Sequence, residues 1–293
     1  GNRKTVNYVV EQLQEIKELY KERGEPFKAT RILPSHWHPD HSSGLKPLKE
    51  SLGVKVMMTE KTRDILKSKK SFREHFEPQD AQEEMLRIRN RWRRLQDKIQ
   101  HFLWWRFYRR VYGLNFIDEP DEIIPNGTEL EINGETWKLL PSPGHASDHV
   151  SLYQEQRGIL LSGDNVLRTI TTWLGPPDSS LQDYVESVER IKTLPKLKLI
   201  LAAHGSPITN PGERIEEILD HRKKRTEQVL KLISKNPEKG ISPSEIVQAL
   251  YPNEGKFIQG AARGWVCLTL KKLEDEGKII RKIEAKKISF LPR

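Results

Sequence analysis

The 293-residue chain contains one cysteine and three methionines. A lone cysteine excludes an intramolecular disulfide framework and any thiolate cluster built by one chain. Cys267 lies in the apolar run Trp265-Val266-Cys267-Leu268, where a thiol behaves as a small buried hydrophobe rather than a nucleophile. Long hydrophobic runs are also missing. No stretch approaches the roughly 20 apolar residues that cross a bilayer. The polar segment from Gly1 to Val9 lacks the apolar centre of a signal peptide. These absences fit a cytoplasmic protein without a transmembrane segment. With 35% hydrophobic and 31% charged residues, the composition is that of a globular chain of one large domain, or one large and one small.

Charge of one sign is unevenly supplied. The net charge is +9, yet residues 61–110 carry a net of +8 and residues 222–293 a net of +9, leaving −8 for the remainder. An acidic core thus carries two basic segments. Such a distribution bears on partners and steering rather than on fold.

Periodicity divides the chain further. Val9, Leu13, Ile16 and Leu19 recur at helical spacing and predict a helix over Val6 to Tyr20. Ala29 to Leu33 reads as a short buried strand, Ser35 to Gly44 as a loop, Leu45 to Leu52 as a helix and Val54 to Met58 as a strand. Residues 61–112 read as helical. Met85, Ile88, Trp92, Leu95, Ile99 and Phe102 form one apolar face, and Gly113 is placed to end the helix. From Thr128 to Asn165 the pattern is β, with Asn133-Gly134 as a two-residue hairpin turn. Leu181 to Thr193 reads as a helix and Leu197 to Ala202 as a buried strand. The last 70 residues change character. Helices over Arg222 to Lys235, Pro243 to Leu250 and Ala262 to Glu276 precede two short strands from Lys278 to Phe290, which is the winged-helix order. Two domains are therefore expected: residues 1–221, with a basic helical insert at about 61–112, and residues 222–293.

One segment carries chemistry. Ser35-His36-Trp37-His38-Pro39-Asp40-His41 places three imidazoles and a carboxylate within six residues, directly after a buried strand. Neutral imidazoles and carboxylates are suitable ligands for zinc, and a strand end holds a loop in fixed geometry.

His36-x-His38-x-Asp40-His41 resembles the signature of the metallo-β-lactamase superfamily. Pro143-Gly144-His145, Ser162-Gly163-Asp164 and Ala203-His204-Gly205 resemble its later metal motifs. They occur in the family's order, each at the end of a predicted strand. The resemblance implies an α/β fold, the αββα metallo-β-lactamase sandwich, followed here by a small winged-helix domain. It implies one metal on His36, His38 and His145 and a second on Asp40, His41 and His204, with Asp164 between them. Two such ions share a hydroxide as nucleophile and polarise the scissile group. Asp40 is then the residue that orients the hydroxide and shuttles a proton. Zinc is the first expectation for the two divalent ions, with manganese or iron also admitted by nitrogen and oxygen ligands. His149 and His221 are read as supporting residues rather than ligands.

The stretch from His204 through Asn210-Pro211 to His221-Arg222 resembles the branch of lactamase-β-like ribonucleases and related hydrolases with a C-terminal winged helix. Two departures matter. The chain begins ahead of the first helix, without the family's opening strands, so one sheet is expected to be incomplete. Leu167 stands where acyl-homoserine lactonases have a tyrosine, and the glutathione-binding basic residues of glyoxalase II enzymes are not recognisable, which weighs against both substrates.

Three functions compete. The first, and preferred, is hydrolysis of a small ester, thioester or lactone, with the aromatics Trp104, Trp105 and Phe107 roofing an apolar pocket. The second is cleavage of single-stranded RNA held by the basic segments, through residues such as Arg91, Arg94, Lys98, Lys271, Lys272, Lys278, Arg281, Lys282, Lys286 and Lys287. The third is nucleic-acid binding with a decayed site, against which the intact set of seven ligands argues.

Overall fold

The first helix starts where an asparagine can cap it. In the computed structural model, which describes residues 2–76, 99, 102–103, 105–107, 109–284 and 287–293, α1 (Arg3–Glu22) follows Asn2. The Asn2 side chain accepts a hydrogen bond from the Thr5 N–H at 3.0 Å, satisfying one of the donors that a helix start leaves open. The described residues fall into two compact units.

The first unit takes residues up to 74 together with the described part of 90–128. Its strands β1 (Arg31–Ile32), β2 (Lys55–Met58) and β3 (Glu122–Ile123) form a parallel three-stranded sheet in that order. Between β1 and β2 lie α2 (Pro39–Ser42) and α3 (Leu45–Leu52). Helix α3 ends on Gly53 at φ 65°, a conformation that glycine adopts without a Cβ clash. The segment read as a plain loop, Ser35 to Gly44, thus contains one helical turn, because Pro39 at its first position is pre-set for helical φ. Strand β3 is too short for any alternation and escaped the sequence reading. Asp121, just before it, accepts from the Val56 N–H at 2.8 Å and pairs with Lys49 at 2.6 Å.

The predicted helical stretch 61–112 begins as two helices, α4 (Glu60–Leu66) and α5 (Lys69–Phe76), whose Ile65, Leu66 and Phe72 are buried. Met85, Ile88, Trp92 and Leu95 of the expected apolar face lie outside the described residues, as do Arg91, Arg94, Lys98, Trp104 and Lys286. Ile99 and Phe102 are exposed. Gly113 has φ 64° and its N–H meets the Arg109 carbonyl at 3.0 Å, so it does end a helix.

The second unit includes the described residues from 129 to 293. Strands β4 (Glu129–Ile132), β5 (Glu135–Pro141), β6 (Val150–Gln154), β7 (Ile159–Gly163) and β8 (Leu199–Ala202) form a sheet in sequence order. Only the β7–β8 pair is parallel. Asn133 and Gly134 have φ values of 53° and 73°, the two positive angles of a type I′ hairpin. Helices α6 (Leu181–Lys192) and α7 (Pro211–Ser234) cover a core that includes Tyr153, Leu160, Val188, Ile200, Ile215 and Ile218. Helix α7 starts at Pro211, well before the Arg222 expected from sequence, because Pro211 opens a turn and Ile215 and Ile218 bury on one face. Position 221/222 therefore falls inside a continuous helix.

The C-terminal elements are α8 (Pro243–Leu250), opened by the Ser242–Glu245 capping box, α9 (Lys256–Asp275), β9 (Ile279–Glu284) and β10 (Lys287–Pro292), the last two antiparallel. Helix α9 begins before the Ala262 expected. Val229, Ile233, Ile246, Cys267, Leu270 and Phe290 belong to their shared core. Each such large side chain contributes about 1.5–3 kcal/mol by leaving water. Burial pushes the Cys267 thiol up to about 12, so it is an inert packing group. Among the described residues no helix is long and apolar enough to cross a membrane.

Candidate metal centre

Each unit carries part of the expected ligand set. In the first unit, β1 leads into the loop bearing His36 and His38, and α2 bears Asp40 and His41. Trp37 anchors this loop. It is buried, meets Phe72 edge-on at 5.1 Å and lies 4.6 Å from the His38 ring. The Ser42 hydroxyl donates to the Trp37 carbonyl at 2.7 Å, folding the turn back on the anchor.

The imidazoles converge. His36 is buried, and its Nε2 lies 2.9 Å from Nδ1 of His38. The His36 and His41 ring centroids are 4.1 Å apart. Ser35 Oγ lies 3.0 Å from His36 Nδ1 and 3.4 Å from His41 Nδ1, which leaves each Nε2 to a further partner. Asp40 is half-exposed, with Oδ2 at 3.5 Å from His41 Nε2. Partial burial raises its pKa, but the hydrogen bond with His41 and the charge that His41 and His38 carry when protonated outweigh burial. The carboxyl is held well below the usual carboxylate range, and so is available as a ligand or hydrogen-bond acceptor.

The second unit assembles its part through sheet topology. Strands β5 and β7 each run antiparallel to β6, and β8 runs parallel to β7. The C-terminal ends of β5, β7 and β8 therefore share one sheet edge, where His145, Asp164 and His204 follow them. The Ala203 N–H donates to the Gly163 carbonyl at 3.0 Å, tying the His204 loop to the Asp164 loop.

Asp164 is buried and faces both histidines. His145 Nε2 lies 3.5 Å from its Oδ2, and His204 Nε2 lies 3.6 Å from its Oδ1. Two ligands each about 2.1 Å from one tetrahedral ion lie about 3.4 Å apart. Each of the two separations is one that a shared divalent ion would allow. His145 is oriented from behind. Its Nδ1 is 2.8 Å from the Trp173 carbonyl, and a carbonyl only accepts, so Nδ1 carries the proton and Nε2 offers a lone pair.

Several further residues hold these loops, and Thr172, Ser179 and Tyr184 among them were not singled out from sequence. Gly144 has φ 135°, and a Cβ there would fall 2.2 Å from Tyr184 Cα, so only glycine allows α6 this close. The Thr172 hydroxyl donates to the Asp164 carbonyl at 2.6 Å, the Ser179 hydroxyl to the His145 carbonyl at 2.7 Å and the Tyr184 hydroxyl to the Asn165 carbonyl at 2.8 Å. Isolated Ser, Thr and Tyr residues carry no local signal for such roles. His149, read from sequence as supporting, accepts from the Asp164 N–H at 3.0 Å, and its Nδ1 contacts Ser142 Oγ at 2.9 Å. Both nitrogens are thus engaged in positioning.

Residues 8–204 match the metallo-beta-lactamase superfamily. The chain belongs to this superfamily. Residues 242–287 match the beta-lactamase associated winged helix domain. The fold expected from sequence, a metallo-β-lactamase domain with a C-terminal winged helix, is therefore met. A metallo-β-lactamase family protein from Thermus thermophilus aligns over 95% of this chain and 85% of its own, with a TM-score of 0.64 and 24% identity, a likeness of fold. A beta-lactamase-like protein 2 homolog of Caenorhabditis elegans is 32% identical over 156 residues, covering 53% of this chain and 50% of the relative. An atrochrysone carboxyl ACP thioesterase of Aspergillus fumigatus is 26% identical over 130 residues, covering 43% of this chain and 40% of the relative. The chain thus spans about half the length of these curated relatives. The superfamily binds divalent metals, and the imidazole and carboxylate donors of both units suit such ions.

Proposed function

We propose that the protein is a dinuclear-metal hydrolase acting on a small ester, thioester or lactone, and that residues 1–221 form its catalytic domain. The observation that carries this reading is Asp164, whose two oxygens face His145 and His204 separately. With family membership, it supports assigning one ion to His36, His38 and His145 and the other to Asp40, His41 and His204, with Asp164 common to both. Zinc is the first candidate, and manganese or iron suits the same donors. When bound, such ions supply a hydroxide near neutral pH and positive charge for the developing oxyanion. The chain's own residues do the rest. Asp40 would accept a hydrogen bond from the attacking water and carry its proton toward the leaving group. Ser35 and the Trp173 carbonyl keep the imidazoles in register, and His149 fixes the Asp164 backbone.

The thioesterase among the relatives supports a thioester as the first substrate to try. The ribonuclease alternative rests on the two basic segments, 61–110 and 222–293. In the second of these, Lys271 pairs with Asp275, Lys272 and Lys278 with Glu276, Arg281 with Glu274, and Lys282 with Glu284. These pairs offset part of the positive charge, and residues 222–293 keep a net of +9. Trp105, one of the expected roof residues, stacks parallel to Phe116 at 6.4 Å and meets Phe72 edge-on at 5.9 Å, so it acts in packing.

The test is metal analysis of chelator-free protein, followed by assays of thioester, ester and lactone substrates beside single-stranded RNA. About two equivalents of metal and turnover of a small acyl substrate are expected. Salt-sensitive RNA cleavage with every small substrate inert would replace this reading with the ribonuclease one.

A further inference from the structure

Helix α7 carries the run His221-Arg222-Lys223-Lys224-Arg225. Its helical period turns Lys223 and Lys224 to solvent and Arg222 inward, where only 6% of the residue is exposed. Arg222 Nη2 donates to the Thr172 carbonyl, and the guanidinium lies 5.2 Å from the centre of the Tyr184 ring. Its Nε has no hydrogen-bond partner among the described residues, and no described carboxylate pairs with it. A buried cation left without a counter-charge is strongly unfavourable, and arginine does not escape by losing its proton.

Arg222 lines a groove of about 290 Å³ within the second unit, near the lower end of the size of small-molecule sites. Arg225 and His221 line it as well, with Tyr251, Trp265 and Trp173, and no carboxylate among the described residues faces it. The Arg225 guanidinium lies 5.0 Å from the Tyr251 ring centre and 5.8 Å from that of Trp265. Burial and then the charges of Arg222, Arg225 and Arg214 hold His221 below its ordinary pKa, a sign of the positive potential that an anion would meet. The groove also shares a wall with two metal-site residues. Thr172, whose carbonyl accepts from Arg222, donates its hydroxyl to the Asp164 carbonyl, and the next carbonyl, that of Trp173, orients His145.

We propose that this groove binds a small anion, a carboxylate or a phosphate ester carried on a planar or apolar body, and that this anion is the part of the substrate remote from the scissile bond. The second clause rests on the hydrolase reading above. The guanidinium pair supplies the charge-assisted hydrogen bonds, and the indole and phenol rings take the flat body. Binding energy from such a remote group positions the reacting centre.

The test is calorimetric titration of metal-loaded protein with phenyl phosphate, benzoate and benzyl alcohol. At least one of the two anions is expected to bind about tenfold or more tightly than the neutral alcohol, and the anion favoured identifies the group recognised. Arg225→Gln is expected to abolish that preference, while Lys224→Gln, on the solvent side and paired with Asp220, keeps it. Arg222→Gln risks unfolding the unit, so Arg225→Gln decides. Anions that bind no better than benzyl alcohol, or equally well to Arg225→Gln, overturn the proposal, including the case in which phosphate merely ligates the metals. A kinetic arm compares a carboxylate-bearing thioester with its methyl ester. Arg225→Gln should erase the KM advantage of the acid, and an unchanged advantage overturns the substrate clause. If the loaded protein hydrolyses neither, the substrate clause fails, the ester, lactone and RNA assays decide the hydrolase reading, and the titration still decides whether the groove is an anion site.

Discussion

The two parts of the proposed ligand set are held in place by different means. His36, His38, Asp40 and His41 fall within six residues, and their loop is secured by packing and short-range bonds, chiefly Trp37 against Phe72 and Ser42 to the Trp37 carbonyl. His145, Asp164 and His204 are spread over 60 residues and are gathered by the common direction of β5, β7 and β8, then fixed by buried hydroxyls and His149. A compact motif places its donors by local chain geometry. A dispersed set needs a rigid sheet edge and a polar lattice, so damage to that lattice should reach the metals without touching a ligand.

The largest effect should come from the residue shared by the proposed ions. Asp164→Ala is expected to lower kcat by about 1,000-fold or more and to reduce bound metal from two equivalents, read by elemental analysis on protein whose circular dichroism is unchanged. Turnover within tenfold of the parent would end the claim that Asp164 is central.

The packing contrast is tested next. Trp37→Ala should destabilise the protein by about 3–5 kcal/mol, as the loss of a large buried aromatic does, measured by denaturant unfolding. A cost below about 1 kcal/mol would show that the compact motif does not depend on its anchor.

The lattice contrast follows. His149→Ala strands the Asp164 N–H, at a cost of about 1–3 kcal/mol, and should weaken metal binding about 10–100-fold. Metal competition titrations check the second number. Unchanged affinity would mean that the sheet edge suffices without the lattice.

The smallest effect concerns Asp121, which ties β2 and β3 in the first unit. The hydrogen bond from Lys49, then that from the Val56 N–H, hold its carboxyl below the ordinary range. A depressed folded-state pKa gives stability that is present above the unfolded value near 4 and lost as pH falls through the folded value. Asp121→Asn should therefore cost up to about 1 kcal/mol at pH 7, since the pair is partly solvated. The difference from the parent should shrink below pH 4. A gap that persists at low pH would assign the effect to packing instead.

The sequence by itself determined most of what depends on neighbouring residues. It marked the first ligand cluster, the Asn133-Gly134 turn, α3 and the order of the C-terminal helices, because periodicity and turn chemistry act within a few residues. Resemblance picked out His145, Asp164 and His204, which no local pattern could join. Tertiary structure decided the rest. Strand β3 is two residues that exist only because β2 and Asp121 wait for them. Helix α7 runs back to Pro211 because Ile215 and Ile218 find a core, and that helix makes Arg222 a buried groove residue. The sheet alone brings the two oxygens of Asp164 opposite different histidines. Local chemistry is written residue by residue, whereas convergence of distant side chains depends on which strands pair and in which direction, and only the folded chain fixes that.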